Sequence, residues 1–348
     1  MSSELSARTD AYWNFFLSEC VRQKAPLYVR FSAGVRDDAK LRALAGLARP
    51  GQPMANLLFG AVHYLLLRSE EHPLRRYYKT LPGEHAASDD PFPLFRDFCL
   101  NREAEIARLI ETRVTNTNEV GRAAYLQIGF LTIAREAQEP LHVIELGPSA
   151  GLNLRWDNYR YLYRKGGASY ESGDRHGALL LETELTGTGL PPFGPSPPVG
   201  QRLGLERNPV DLANFEDRDW LRALVWPDQP DRLRRLERAL DAVKGLPVDI
   251  RAGDALALLP DALAESPREG TVCVFHTMVT YQFEHVERQA LEDLLVLASV
   301  RRPLWRLSME LDDGNYPLVL GRYADGAVQT RVLGLCDSHG GGLEWRGR

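Results

Sequence analysis

Residues 143–154 read Val-Ile-Glu-Leu-Gly-Pro-Ser-Ala-Gly-Leu-Asn-Leu, a short apolar run that ends in an acid and then a Gly-x-Ser-x-Gly turn. Two chemistries use such a turn. In a nucleotide-type cofactor site, Gly147 and Gly151 let the backbone approach the ligand and the following helix presents unpaired N–H groups. In a nucleophile elbow, Ser149 is perched on a strained corner between strand and helix. Glu145 favours the first, because a carboxylate beside the turn opposes the negative charge that develops during acyl transfer.

Further polar residues stand where later β-rich runs end. Strands are expected at 142–146, 203–206, 248–251, 271–276 and 304–310, and in an open parallel sheet ligands sit beyond the carboxyl ends of the strands. Glu206, after the second, is suited to accept both hydroxyls of a ribose. Asp254 followed by the small Ala255, after the third, is suited to an adenine edge. His276 ends the fourth, and with an ordinary imidazole pKa of about 6.5 it is a candidate general base. Asn153 and Asp157, in an aromatic-rich run just past the first turn, are candidates to face the cleft. Each has a plainer explanation: Glu145 as an internal pair, Glu206 as a solvated strand end, Asp254 as an N-cap, His276 as a histidine tied to a carbonyl. Their occurrence together and in order is what points to a cofactor.

The run 113–122, Arg-Val-Thr-Asn-Thr-Asn-Glu-Val-Gly-Arg, is more polar than a packing linker requires. Asn116 and Glu119 can cap the next helix, which leaves Arg113, Asn118 and Arg122 as candidate substrate contacts together with Asn116, the arginines clamping a carboxylate. The competing hydrolase would use Ser149, Asp254 and His276 or His339 in that chain order. It lacks an earlier strand to supply an oxyanion donor, since only helices are expected before residue 141.

The elements that must carry these residues follow from hydrophobic spacing. Helical periodicity covers Tyr12, Phe15, Phe16, Glu19 and Cys20, and the run Asn56 to Leu67 is apolar nearly all round, a buried helix with His63 as a hydrogen-bonded core residue. A Pro/Asp-rich break from Ser88 to Pro93 precedes a third helix over Leu94 to Thr112. From Leu141 onward strands alternate with helices, and 317–322 and 327–333 around Asp325-Gly326 read as an antiparallel pair that closes the sheet. The Gly/Pro-rich segment 164–202 reads as a lid or an insertion.

Composition bounds the function. With 348 residues there is room for two lobes, a helical one over 1–120 and an α/β one over 121–348. A net charge of −5 argues against a general nucleic-acid binder. Cys20, Cys99, Cys273 and Cys336 lie far apart and form no Cys-x-x-Cys pair, so neither a zinc knuckle nor a disulfide framework is indicated. The start of the chain is too polar for a signal peptide and no apolar run approaches a membrane span, so a cytoplasmic protein is expected.

The turn at Glu145-Leu146-Gly147-Pro148-Ser149-Ala150-Gly151 resembles the first motif of class I S-adenosylmethionine-dependent methyltransferases, with Ser149 where that fold usually has its middle glycine. The terminal antiparallel pair resembles that Rossmann-like fold as well. A resemblance spanning nearly the whole chain is to a bacterial conserved family of unknown function with a helical front and a methyltransferase-like back. It rests on residues 56–59 with His63-Tyr64, on 112–122, on 149–159, on Trp226-Pro227 and on Phe275-His276. The family resemblance implies a fold more than a reaction; the resemblance of the first motif implies a methyltransferase that takes S-adenosylmethionine, for which a small-molecule or peptide acceptor is expected. The absence of an Asn/Asp-Pro-Pro-Tyr-type motif after the fourth strand disfavours nucleic-acid acceptors. A serine hydrolase and a methyltransferase-like shell that binds without catalysing are the alternatives.

Overall fold

The computed structural model describes residues 2–68, 72–85 and 89–347; Ser88, at the head of the expected break, lies outside them. The chain divides into two compact units, Met1–Thr117 with Val210–Arg234, and Asn118–Pro209 with Arg235–Arg348. Residues 210–234, read from the sequence as part of the α/β lobe, thus belong with the helices.

The helical unit contains α1 (Ser2–Arg22), α2 (Pro26–Asp37), α3 (Ala39–Ala45), α4 (Met54–Leu67), α5 (Phe92–Asn101) and α6 (Glu103–Thr112). The single helix expected over 94–112 is broken at Arg102, whose backbone leaves helical geometry and starts α6 anew. Its core is aromatic. Phe31 stacks on Phe95 with ring centroids 4.1 Å apart, and Tyr28 meets Phe59 at 4.7 Å. Offset and tilted rings of this kind add to the stabilisation that burial of their area already gives.

In the second unit α7 (Ala123–Ala137) leads into β1 (Leu141–Leu146), then β2 (Arg160–Lys165), β3 (Ala168–Gly173), β4 (Leu180–Gly187) and β5 (Val199–Glu206). After α8 (Phe215–Ala223), which belongs to the helical unit, and α9 (Pro230–Ala242) come β6 (Asp249–Ala252), α10 (Ala255–Glu265), β7 (Thr271–Thr277), α11 (His285–Ser299) and β8 (Leu304–Met309). The chain then adds β9 (Tyr316–Ala324), β10 (Ala327–Cys336) and β11 (Gly342–Trp345).

The strands form one mostly parallel sheet in the order β3-β2-β4-β11-β10-β9-β8-β7-β1-β5-β6. All six residues of β1 are buried, as a parallel strand covered on both faces requires. Ile144 and Leu146 pack with Leu259 of α10 and with Leu291 and Leu295 of α11. On the opposite face Phe130 of α7 meets Phe275 edge-on at 5.2 Å.

One expectation is corrected here. The segment 164–202, read as a lid or an insertion, supplies β3, β4 and parts of β2 and β5, and in β4 buried and exposed residues alternate as in a strand with one covered face. The β9–β10 hairpin does form, with Asp325 and Gly326 at φ 52° and 75°, but it does not close the sheet, which continues through β11 and β4. Among the described residues no helix is long and apolar enough to cross a membrane.

His63 shows how tightly the helical core is specified. It is fully buried, its Nδ1–H donates to the Ala223 carbonyl at 2.9 Å, and its Nε2 accepts from the Thr80 hydroxyl at 2.9 Å. Burial pushes the imidazole down to about 4 against the partial opposition of backbone carbonyls, so the folded state holds it neutral. A depressed histidine contributes stability that is present above the unfolded value of about 6.5 and lost as pH falls toward 4. Between pH 7 and pH 4 the stability gap between wild type and His63→Asn, measured by chemical denaturation, should narrow by up to about 3 kcal/mol. An unchanged gap would show that His63 is not the titrating group.

Candidate functional site

The turn after β1 holds three residues in the left-handed region, Gly147, Ser149 and Gly151, at φ 64°, 55° and 74°. It is tied to the end of β5 by one side chain. Glu206 accepts from the Ser149 amide through Oε2 and from the Asn208 amide through Oε1, both at 2.9 Å, so a single carboxylate fixes the loops that follow two neighbouring strands. Glu145, on the same face of the sheet, is 2% exposed and its Oε2 has no hydrogen-bond partner. Burial and the negative charge of Glu206 push its carboxyl well above the usual range, and the Arg122 guanidinium only partly opposes them. Glu145 is therefore biased toward its protonated form, beside an acceptor in Glu206.

Arg122 and Asn118 reach this edge from the front of α7. The Arg122 guanidinium donates to the carbonyls of Ser338 at 3.0 Å and Thr277 at 3.4 Å, and Asn118 Oδ1 accepts from the Leu152 amide at 2.9 Å. Glu119 caps the short turn before α7 by accepting from Gly121 N, and it pairs with Arg235 at 3.2 Å. Of the residues singled out from the sequence, Asn118, Arg122, Glu145, Gly147, Ser149, Gly151 and Glu206 thus meet at the carboxyl ends of β1, β5 and β7.

His276 does not serve there as expected. It is fully buried, its Nδ1–H donates to Glu310 at 2.5 Å, and its Nε2 lone pair accepts from Arg306 Nε at 3.0 Å. With both nitrogens engaged it has no free lone pair for a substrate proton, and burial depresses its pKa despite Glu310. The residue that sequence reasoning missed is Glu310. Its carboxylate also accepts from the amides of Val279 and Tyr281, each at 3.0 Å, and so clamps the loop after β7. Burial alone would raise the Glu310 pKa, but His276 and these amides hold it below the ordinary carboxylate range. An acid one residue past the fifth parallel strand was the available signal, the same one that marked Glu206.

The remaining candidates lie elsewhere. Asp157 is ion-paired with Arg202 rather than facing a cleft as a free catalytic group. Asn153 is 2% exposed with its Oδ1 unpartnered. Asp254 caps α10, Oδ1 accepting from Leu256 N at 3.0 Å while Oδ2 binds Arg207, and Ala255 is the first residue of that helix. Arg113 and Asn116 belong to the helical unit, where Arg113 pairs with Asp217 at 2.6 Å and Glu216 at 3.3 Å. The hydrolase relay is not assembled through His276 and Asp254, whose polar atoms are committed to these other partners. Among the described residues no group of three or more His, Cys, Asp or Glu is placed to hold a metal ion.

A family model described as "uncharacterized protein conserved in bacteria (DUF2332)" matches residues 13–345. The chain belongs to that family. No curated protein and no solved structure matches it.

In this DUF2332 chain the glycines of the turn answer to packing. A Cβ on Gly147 would lie 2.8 Å from Cγ2 of Val279, on the loop that Glu310 clamps, and one on Gly151 would lie 2.7 Å from Val248. Gly147→Ala should therefore cost about 2–4 kcal/mol, part from the positive φ and part from the clash. In a double-mutant cycle Val279→Ala should recover about 1 kcal/mol or more of that loss. Additive costs would mean that the two loops do not press on each other as described.

Proposed function

We propose that the protein is an S-adenosylmethionine-dependent methyltransferase whose cofactor lies at the carboxyl ends of β1, β5 and β6. The observation that carries this reading is the strand order β6-β5-β1-β7-β8, which reverses direction at β1, with Glu206 as the last residue of β5, Asp254 just past β6 and Glu145 within β1. Numbered as successive parallel strands this is 3-2-1-4-5, the doubly wound arrangement in which dinucleotides and related ligands bind where the order reverses.

The carboxyl groups suit a nucleoside. Ribose hydroxyls both donate and accept, and Glu206 offers carboxyl oxygens as acceptors while Glu145, biased by burial toward its protonated form, offers an oxygen without a partner among the described residues. Asp254 and Ala255 stand at the same edge of the sheet, one strand further on. When bound, S-adenosylmethionine would supply an electrophilic methyl group on a sulfonium. The chain's own contribution is placement: Glu206 fixes the two loops, Glu310 fixes a third, and Arg122 and Asn118 hold the segment in front of α7 against them. Since His276 is committed, rate enhancement would come from holding acceptor and donor in line, an effect that by itself reaches about 7–11 kcal/mol in well-oriented systems.

Titration calorimetry with S-adenosylhomocysteine tests the reading. Wild type should bind, Glu206→Gln should bind at least about ten-fold more weakly through loss of a charged acceptor, and Glu145→Gln should fold normally because it replaces a group already biased toward its neutral form. Absence of binding by folded wild type would overturn the cofactor assignment. Binding without methyl transfer to any of a panel of peptides and small molecules would favour the shell that binds without catalysing.

A further inference from the structure

The helical unit carries a cleft of about 690 Å³ between α4, α6 and the start of α8, a size suited to a small organic ligand. Its long wall is one face of α6: Arg102 at the N-cap, Glu105, Arg108 with Leu109, and Thr112 recur every three or four residues and so line up along the helix. Four arginines, Arg68, Arg102, Arg108 and Arg113, line the cleft against two acids, Glu105 and Glu216.

Three of the guanidiniums are held by rings and by acids. Arg68 lies over the rings of Tyr64 and Phe215 at 5.2 and 5.3 Å and within 3.6 Å of Glu216, Arg102 over Phe98 at 5.6 Å and paired with Glu105 at 3.1 Å, and Arg113 over Trp220 at 5.9 Å, paired with Asp217 at 2.6 Å and Glu216 at 3.3 Å. Each guanidinium has five N–H donors, of which these contacts use only a few, so the rest are presented with little conformational entropy left to lose. Arg108 is exposed and, among the described residues, its guanidinium has neither a hydrogen bond nor an ion pair. Even counting Asp217 beside Arg113, positive charge is in excess among the described residues that line the cleft, and the floor is apolar, with Leu109 and the Tyr64 ring both buried.

We infer that this cleft binds a small organic molecule bearing a doubly charged oxyanion, its charged end held by Arg108 and the ring-backed arginines and its body resting on Leu109 and Tyr64. Guanidinium forks match the oxygen spacing of a phosphate or a carboxylate, a cation would be repelled, and a neutral ligand would leave the excess charge unanswered. This site is separate from the one at β1, and either can stand without the other.

Calorimetric titration of the full chain at low ionic strength with phenyl phosphate and with glutarate tests it. At least one probe should bind, and added salt should weaken the binding. Arg108→Ala should weaken it by about ten-fold or more, the loss expected for one hydrogen bond between charged groups, and Arg108→Lys should retain part of the affinity as a point charge. Because the exposed Arg108 guanidinium makes no hydrogen bond or ion pair among the described residues, the unliganded midpoint of thermal unfolding should not move. Binding of phenyl phosphate alone identifies a phosphate ester, of glutarate alone a dicarboxylate, and of both the shared oxyanion chemistry. If neither probe binds, or if Arg108→Ala binds as wild type does, the inference is wrong.

Discussion

One carboxylate spans two loops at the centre of the sheet. By accepting the amides of Ser149 and Asn208, Glu206 removes two backbone donors from competition with water and fixes the turns after β1 and β5 to each other. Leaving such donors buried and unmade costs roughly 1–3 kcal/mol each, so the turn keeps its three left-handed residues only while the acid is there. Glu310 repeats the device on the other side of β1 with the amides of Val279 and Tyr281. Between these two acids the glycine turn is pressed from above by Val279, which explains why residue 147 has no side chain.

Carboxyl side chains play four parts along this edge, decided by what surrounds them. Glu145 meets burial and another carboxylate, which push its pKa well above the usual range. Glu310 is almost as deeply placed, yet two amides and an imidazole N–H keep it ionised. Glu206 is a staple and Asp254 a helix cap. From His276 the polar chain runs on through Arg306 and Glu292 to the Tyr323 hydroxyl, crossing β7, β8, α11 and β9. That network rigidifies the strands behind the loop, because partners in such a chain polarise one another and none can leave without orphaning the next.

Strands with simple patterns were legible in the sequence: β1, β7 and β8 are apolar runs with polar ends, and Asp325-Gly326 announced its hairpin. Of the missed strands, β2 and β3 form a local hairpin across Gly166-Gly167, a turn signal that was there to be read, whereas β4 and β11 lie among glycines and prolines and are strands by pairing with distant neighbours. Site residues followed the same division. Glu206 could be found because it ends a strand, whereas the fate of Arg113 depended on Asp217, far along the chain, and that of His276 on Glu310 and Arg306. Sequence position shows that a group is available; its partner, which decides the chemistry, is set by the fold.

The place of β11 in the sheet has a consequence for how the chain is made. This four-residue strand lies between β10 and β4, antiparallel to one and parallel to the other, so it joins the β2–β4 group to the β1 and β5–β10 group. Until Gly342–Trp345 leave the ribosome, the two groups have open edges where they will later meet, and β4 waits more than 150 residues for its neighbour. Pairings of that sequence separation form slowly, and unpaired edges are where nascent chains stick to one another. Assembly of the sheet thus waits on the strand that follows the ten others in chain order, and the interval before it pairs is when the open edges of β4 and β10 are most prone to wrong contacts.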